Sequence, residues 1–334
     1  MTTQKRIINY IILVHKNPRQ VQRLVSRLAE DGVHFYLHVD QKCRIEDFTS
    51  IIPEIDHISY IKNRVDCRWG DVSIVDAIFN CYREIDAEGQ TGHCVLLSGQ
   101  DYPLRGGEYI RDFLESHPDH NFINIYPIPD PKKKSEGGGM ERLISYTFDC
   151  RNPKNKRMKA KIQPLSVKPK TILGFFRIMR YRRDILGFAC RAWLHKRGYP
   201  KDLAMCFNEM WMALNMNAVE YLLEVWNQHP EYRDYYLYTH VPDETVFGAI
   251  LMANEKMRES IRPMLHYICW GGGKNGSPKI LGMEDVRGMI ERLRAGELCS
   301  GMEESGMMFA RKFGEDDKVL DYIDDEIEAG REDH

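Results

Sequence analysis

The first 127 residues alternate strand-like and helix-like segments, and no other feature of the chain restricts its fold so strongly. Strand-like runs occupy residues 7–14, 34–39, 58–61, 93–97 and 121–126, with helical patterns between them at 18–29, 72–85 and 108–115. Pro18 suits a first helical turn and Asp31-Gly32 a stop. This succession predicts an α/β fold: a Rossmann-like, mostly parallel sheet with helices on both faces. Such sheets hold ligands beyond the carboxyl ends of their strands. Here those ends are His15-Lys16, His38-Val39-Asp40, Ser98-Gly99-Gln100-Asp101 and Tyr126-Pro127. No G-x-G-x-x-G follows the first strand, which weakens a dinucleotide reading.

At 334 residues the chain can form one large α/β domain or two smaller ones. Its formal net charge of -2 hides an asymmetry. Between Arg151 and Pro200 fifteen Lys/Arg face a single acid, Asp184; from Glu284 onward sixteen Asp/Glu face seven Lys/Arg. The middle therefore calls for an anionic partner, and the end reads as a solvated acidic tail, frayed or weakly helical. Nine cysteines without a C-x-x-C read as reduced thiols, and the apolar run at 7–14 is too short to span a bilayer. A soluble cytoplasmic protein is expected. The organisation expected is a Rossmann-like half at 1–127, a basic loop and helical insert at 128–202, a second half of the same domain at 203–315, and the acidic tail at 316–334. Residues 127–139 and 271–276 read as mobile loops. In the second half, 211–214 reads as strand, and 218–226, 245–254 and 283–293 as helices.

Three segments carry chemistry. Pro242-Asp243-Glu244 starts a helix; Asp243 suits the cap, and Glu244 either complements the helix dipole or serves as a general base. Phe309-Ala310-Arg311-Lys312-Phe313 sets two cations among aromatic residues, either as an exposed charge pair or as a clamp for a departing phosphate. The Ser98-Gly99-Gln100-Asp101 turn offers one acid where a divalent-metal site needs at least two hard-oxygen ligands, so no metal is expected. The basic stretch interleaves aromatic and charged residues around Phe175-Phe176-Arg177. No nucleic-acid fold motif accompanies it, so a solvated cover or a peripheral contact with anionic lipid fits better.

Four segments together resemble the core-2/I-branching β-1,6-N-acetylglucosaminyltransferase family, which includes peptide xylosyltransferases. They are Tyr36-Leu37-His38-Val39-Asp40, Arg68-Trp69-Gly70-Asp71-Val72-Ser73, Leu96-Leu97-Ser98-Gly99-Gln100-Asp101-Tyr102-Pro103-Leu104, and Pro242-Asp243-Glu244 with the later Phe309-Ala310-Arg311-Lys312-Phe313. Their order and spacing match across roughly residues 7–315. The resemblance implies a GT-A-like fold, a UDP-sugar donor, a glycan or lipid-linked glycan acceptor, and inverting transfer without a metal or other cofactor. It places the catalytic base at Glu244 and the principal leaving-group cation at Lys312, beside Arg311. It also implies nucleotide contacts at His15 and Asp40.

Arg64 and Trp69 join the donor side, with Trp69 either stacking on a sugar or serving as a core or lid residue. Ser98, Gln100 and Asp101 lie where the donor sugar is expected, and Glu141, Arg142 and Trp211 on the acceptor side. Trp211 stands either as an acceptor platform or as a buried residue. The sequence departs from the family twice. His266 falls where the family carries an Arg, so either a bound diphosphate charges it or Arg262 or Lys279 takes over. Asn208-Glu209-Met210 replaces the family's Gly-Ser before Trp211. N-acetylglucosamine transfer is the leading expectation; a UDP-xylose donor and a binding protein without catalysis are its rivals.

Overall fold

The computed structural model describes residues 8–130, 136–152, 154, 156–270, 277–295 and 307–332. The first part runs β1 (Ile8–Val14), α1 (Pro18–Leu28), β2 (Val33–Val39), β3 (Ile58–Tyr60), α2 (Ser73–Ala87), β4 (His93–Ser98), β5 (Asp101–Pro103), α3 (Gly107–Ser116), β6 (Asn121–Phe122) and β7 (Ile125–Pro127). Next come α4 (Met140–Ile144), the hairpin β8 (Tyr146–Arg151) and β9 (Arg157–Ile162), α5 (Pro169–Tyr181) and α6 (Leu186–Leu194). The chain continues through β10 (Cys206–Asn208), β11 (Ala213–Asn215), α7 (Met216–Gln228), α8 (Val246–Ala253), β12 (Ile261–Arg262) and β13 (His266–Ile268). It ends with α9 (Met283–Arg294), β14 (Phe309–Arg311) and α10 (Asp317–Glu332).

Seven strands form the main sheet in the order β12-β6-β11-β4-β1-β2-β3. β3, β2, β1 and β4 are parallel, β12 is parallel to β6, and only β11 runs against its neighbours. This is the α/β, mostly parallel architecture expected from the alternation. Side-chain direction alternates along each strand, so both faces of β1 and β2 are apolar and both are covered. Tyr10, Ile12, Phe35 and Leu37 face one core with α1, α3, α9 and α10. Ile11, Tyr36 and Leu96 face the other with α2, α7 and α8. At Gly99 an added Cβ would meet Val21 and Val14, which explains why the turn after β4 hugs α1.

The basic insert builds a third core. Phe148, Cys150, Ala160, Ile162, Ile178 and Ala189 pack the β8–β9 hairpin against α5 and α6. A Cβ at Gly174 would collide with the Lys161 carbonyl, so the glycine is what lets α5 lie directly on β9.

Several expectations need correction. The 121–126 run is two short strands in different sheets, because β7 leaves the main sheet to pair with β10. The strand expected at 211–214 is displaced to Ala213–Asn215. Of the two readings of the acidic segment, frayed or weakly helical, the helical one holds, but it is not a solvated tail: α10 buries Val319, Leu320 and Ile323, and its acids pair with Arg23 and Arg27 of α1. Acidic charge read as solvating is instead matched by cations from the opposite end of the sequence. The loop at 271–276 and residues 131–135 lie outside the described residues. Among the described residues no helix is long and apolar enough to cross a membrane.

Candidate active site

Parallel strands end their backbone pairing together, so the loops after β1, β2 and β4 converge. Asp40 N donates to Val14 O at 2.8 Å and Gly99 N to Leu13 O at 3.2 Å, which brings His15, Asp40 and the Ser98–Asp101 turn to one edge. Strand β14 then pairs antiparallel with β5, setting Arg311 opposite Asp101. Phe313 N donates to Gln100 O at 2.9 Å, and Gln100 Nε2 donates to Phe313 O at 3.2 Å. Lys312 is thereby fixed beside the β4 turn, about 210 residues away in sequence. Asn17 Nδ2 donates to Glu315 Oε1 at 3.0 Å, closing the β1 loop over the same segment.

The charges at this edge sort into two groups. Arg311 is buried: its guanidinium donates to Asp101 Oδ1 at 2.9 Å and to Ser98 Oγ at 3.2 Å, and lies 3.8 Å from the centre of the Trp211 ring. Asp101 is fully buried, and burial raises its pKa against the pull of Arg311. Lys312 is different, forming no ion pair among the described residues. Partial burial and the neighbouring charges of Arg311 and Lys16 lower its pKa. His15, exposed at the rim, is shifted down by local desolvation and then by Lys16, Lys312 and Lys42, against Asp40. Lys16 and Lys312 thus make a patch of positive potential in which neither ammonium has an ion-pair partner among the described residues. Asp40 is occupied by Lys42, which bonds it at 3.0 Å through both its amide and its ammonium.

The second half of the site surrounds Glu244. Pro242–Glu244 form a short 3-10 turn before α8. The preceding Val241 has φ 55°, a left-handed conformation that a β-branched residue adopts only when its surroundings impose it. Those surroundings are specific. Val241 N donates to Gly70 O at 3.3 Å, and Gly70 sits at φ 69° against the His240 ring, where a Cβ would be 3.2 Å away. Asn208 donates through Nδ2 to Asp243 O and accepts at Oδ1 from Gly248 N, both at 3.0 Å, tying the turn to β10. Arg142 Nη1 bonds Glu244 Oε2 at 2.5 Å, and both side chains are 31% exposed, so the carboxylate is oriented yet open to solvent. Phe207 lies under the Arg142 guanidinium at 4.9 Å.

Asp243 was expected to cap the helix and does not. Its side chain makes no cap bond, Oδ1 has no partner, and the residue is buried. Burial first, and the adjacent Glu244 second, push its carboxyl up to about 7.

Other expectations change as well. His266 is no second cation: it is buried between Trp211 and Phe309, its ring nitrogens lack partners, and burial with nearby Arg311 pushes its pKa down to about 3. Neither proposed substitute is available, since Arg262 donates to the carbonyls of Glu259 and Ile261 and Lys279 pairs with Asp285 at 2.6 Å. Arg64 donates to the carbonyls of Val39, Asp40 and Cys43, so it holds the β2 loop. Trp211 is buried beneath Arg311 and offers no acceptor platform. Gln100 is buried in its bonds to Phe313. Trp69, in contrast, is 60% exposed with its ring edge-on to His240 at 5.7 Å. Glu141 has a buried Oε2 without a partner.

Asn208 gives no sign in the sequence of its tie to the Glu244 turn, beyond standing where the family carries its Gly-Ser. Lys16 stands out there only as a strand end, and Arg197 not at all. The buried Arg197 guanidinium bonds the carbonyls of Leu143, Ser145 and Tyr235 and the Thr239 hydroxyl, locking α4 to the chain before Val241. No sequence signal marks that role.

A solvent-open carboxylate and two cations on the loops of an α/β sheet are groups that a proton transfer and a departing anion can use. The family model described as Core-2/I-Branching enzyme matches residues 8–290, and the chain belongs to that family. It is a glycosyltransferase-family domain. Xylosyltransferase 2 of Rattus norvegicus is 24% identical over 255 residues, 73% of this chain and 24% of the relative. Beta-glucuronosyltransferase GlcAT14A of Arabidopsis thaliana is 29% identical over 134 residues, 40% of this chain and 27% of the relative. The chain thus spans about a quarter of the length of these curated relatives. A solved chain described as a putative glucose-1-phosphate thymidylyltransferase from Bacillus anthracis aligns over 65% of this chain and 75% of its own at 10% identity, with a TM-score of 0.28, too low to carry an argument.

Proposed function

We propose that this chain transfers a sugar, N-acetylglucosamine in the first instance, from its UDP conjugate to a glycan hydroxyl in one inverting step, forming a β-linkage, β-1,6 by the family resemblance. The observation that carries the reading is Glu244, held by Arg142 on a strained, tightly braced turn and still open to solvent. In the step, a Glu244 oxygen takes the acceptor hydroxyl proton, the acceptor oxygen bonds to the sugar C1, and the C1–O bond to the diphosphate breaks with its electron pair going to the diphosphate. Lys312 and Lys16 supply the positive field in which that charge develops. Metal independence is part of the proposal. Its support is that Asp101, the acid of the β4 turn, is committed to Arg311. His15 and Asp40 stand at the strand ends that suit the nucleotide.

The test is Glu244→Gln, assayed for UDP release from UDP-N-acetylglucosamine with a glycan acceptor and EDTA present. The variant should keep its fold and its UDP affinity while turnover falls by about two to four orders of magnitude. Near-normal turnover would remove Glu244 as the base. A UDP-xylose donor is the second reading, favoured by the xylosyltransferases among the relatives; the same assay with UDP-xylose decides between them.

A further inference from the structure

Helix α5 has two apolar faces and needs only one of them to fold. Thr171, Gly174 and Ile178 are its buried positions, turned toward β9 and the third core. Successive residues rotate by about 100° around a helix, which puts Ile172, Leu173, Phe176 and Met179 on the far side. These four are 46%, 49%, 60% and 40% exposed. Just before the helix, Leu165 and Val167 are exposed at 61% and 75%, and Leu165 is held there at a left-handed φ of 54°. An exposed apolar surface of this extent marks an interaction site.

The charge around it identifies the partner. Arg180 lies one turn on from Phe176 within the apolar arc, and exposed Lys170 and Arg183 flank it. The one acid between Arg151 and Pro200, Asp184, is already paired with Arg182 at 2.8 Å. Apolar side chains that stand out among cations suit a surface offering acyl chains beneath negative headgroups. A protein partner of ordinary composition has no such layering, and nucleic acid would leave the aliphatic residues unburied. We propose that the outer face of α5, with the 165–167 segment, docks this protein onto anionic lipid bilayers, seating Phe176 and Leu173 at the acyl boundary. The same insert reaches the site: Arg157 Nη1 donates to Trp69 O at 3.0 Å and Lys159 Nζ to Gly70 O at 3.3 Å. Docking through α5 therefore fixes the catalytic loops relative to a membrane. It stands independently of the donor reading, because it requires no turnover.

Sedimentation of the full chain with vesicles of phosphatidylcholine, alone and mixed with phosphatidylglycerol, tests this at low and high salt. Binding is expected only to the phosphatidylglycerol-containing vesicles and is expected to weaken with salt. The pair Leu173→Ser with Phe176→Ser should lose tenfold or more in partitioning, on the order of what two buried apolar side chains supply. Neutralising the exposed cations by Arg180→Gln and Arg183→Gln should cost about fivefold each, with the melting temperature unchanged. Should the serine pair melt early, the glutamine pair still decides. Equal weak binding to both vesicle types, or binding untouched by the glutamine pair, overturns the proposal. So does a dimer in sedimentation velocity that dissociates in the serine pair, which would give the face to a second copy of this chain.

Discussion

Asp243 makes a pH-dependent prediction that follows from its burial. A carboxyl normally near 3.8 is pushed up to about 7 here, with no partner for Oδ1 and with Glu244 adjacent. Between those values the folded chain holds a proton that the unfolded chain has released, so stability declines as pH rises from about 4 to about 7 and then levels off. Roughly three pH units, at about 1.4 kcal/mol each, give about 4 kcal/mol as an upper figure. Asp243→Asn removes the titration and preserves the shape, since Asn208 binds the backbone oxygen of residue 243 rather than its side chain. Urea unfolding of both proteins from pH 4 to 8 is the assay. Near pH 4 the two should agree closely, and the variant should gain several kcal/mol over the parent by pH 7.5. Parallel profiles across the whole range would refute the claim that this carboxyl is buried and uncompensated.

Three further outcomes are expected. His266→Phe should match the parent's UDP affinity at each pH from 6 to 8.5 in calorimetric titration, because the buried ring carries no charge in that range; a marked loss would restore its role as a cation. Lys312→Ala should weaken UDP binding by about tenfold, the scale of one charged hydrogen bond, without altering the melting temperature appreciably. Arg311→Met leaves Asp101 buried and unpaired, so it should destabilise the fold by about 3–5 kcal/mol in urea titration, and the double variant with Asp101→Asn should recover part of that loss.

Strand–helix alternation carried the architecture, because a strand's two-residue period and the length of its apolar run are local properties. The same holds for the strand-end rule, which from sequence alone puts His15, Asp40 and the Ser98–Asp101 turn at one edge of the sheet. The charge of the α5 region was legible too, since fifteen cations against one acid needs no geometry. What the sequence could not rank was which charges are already spent. Arg64, Arg262, Lys279 and Arg311 look alike in a sequence, yet each is consumed by a carbonyl or carboxylate, while Lys312 and Lys16 form no ion pair among the described residues. Partners of that kind lie tens to hundreds of residues away, and only the closed sheet brings them into range.

Burial was equally out of reach. A histidine at position 266 reads as a pH-sensitive cation until Trp211 and Phe309 enclose it, and Asp243 reads as a helix cap until the turn points it inward. Local sequence determined the elements and the kinds of chemistry available at their ends. Tertiary packing decided which of those groups remain solvated, charged and unpaired, because desolvation and Coulomb energy depend on what the whole chain places around an atom.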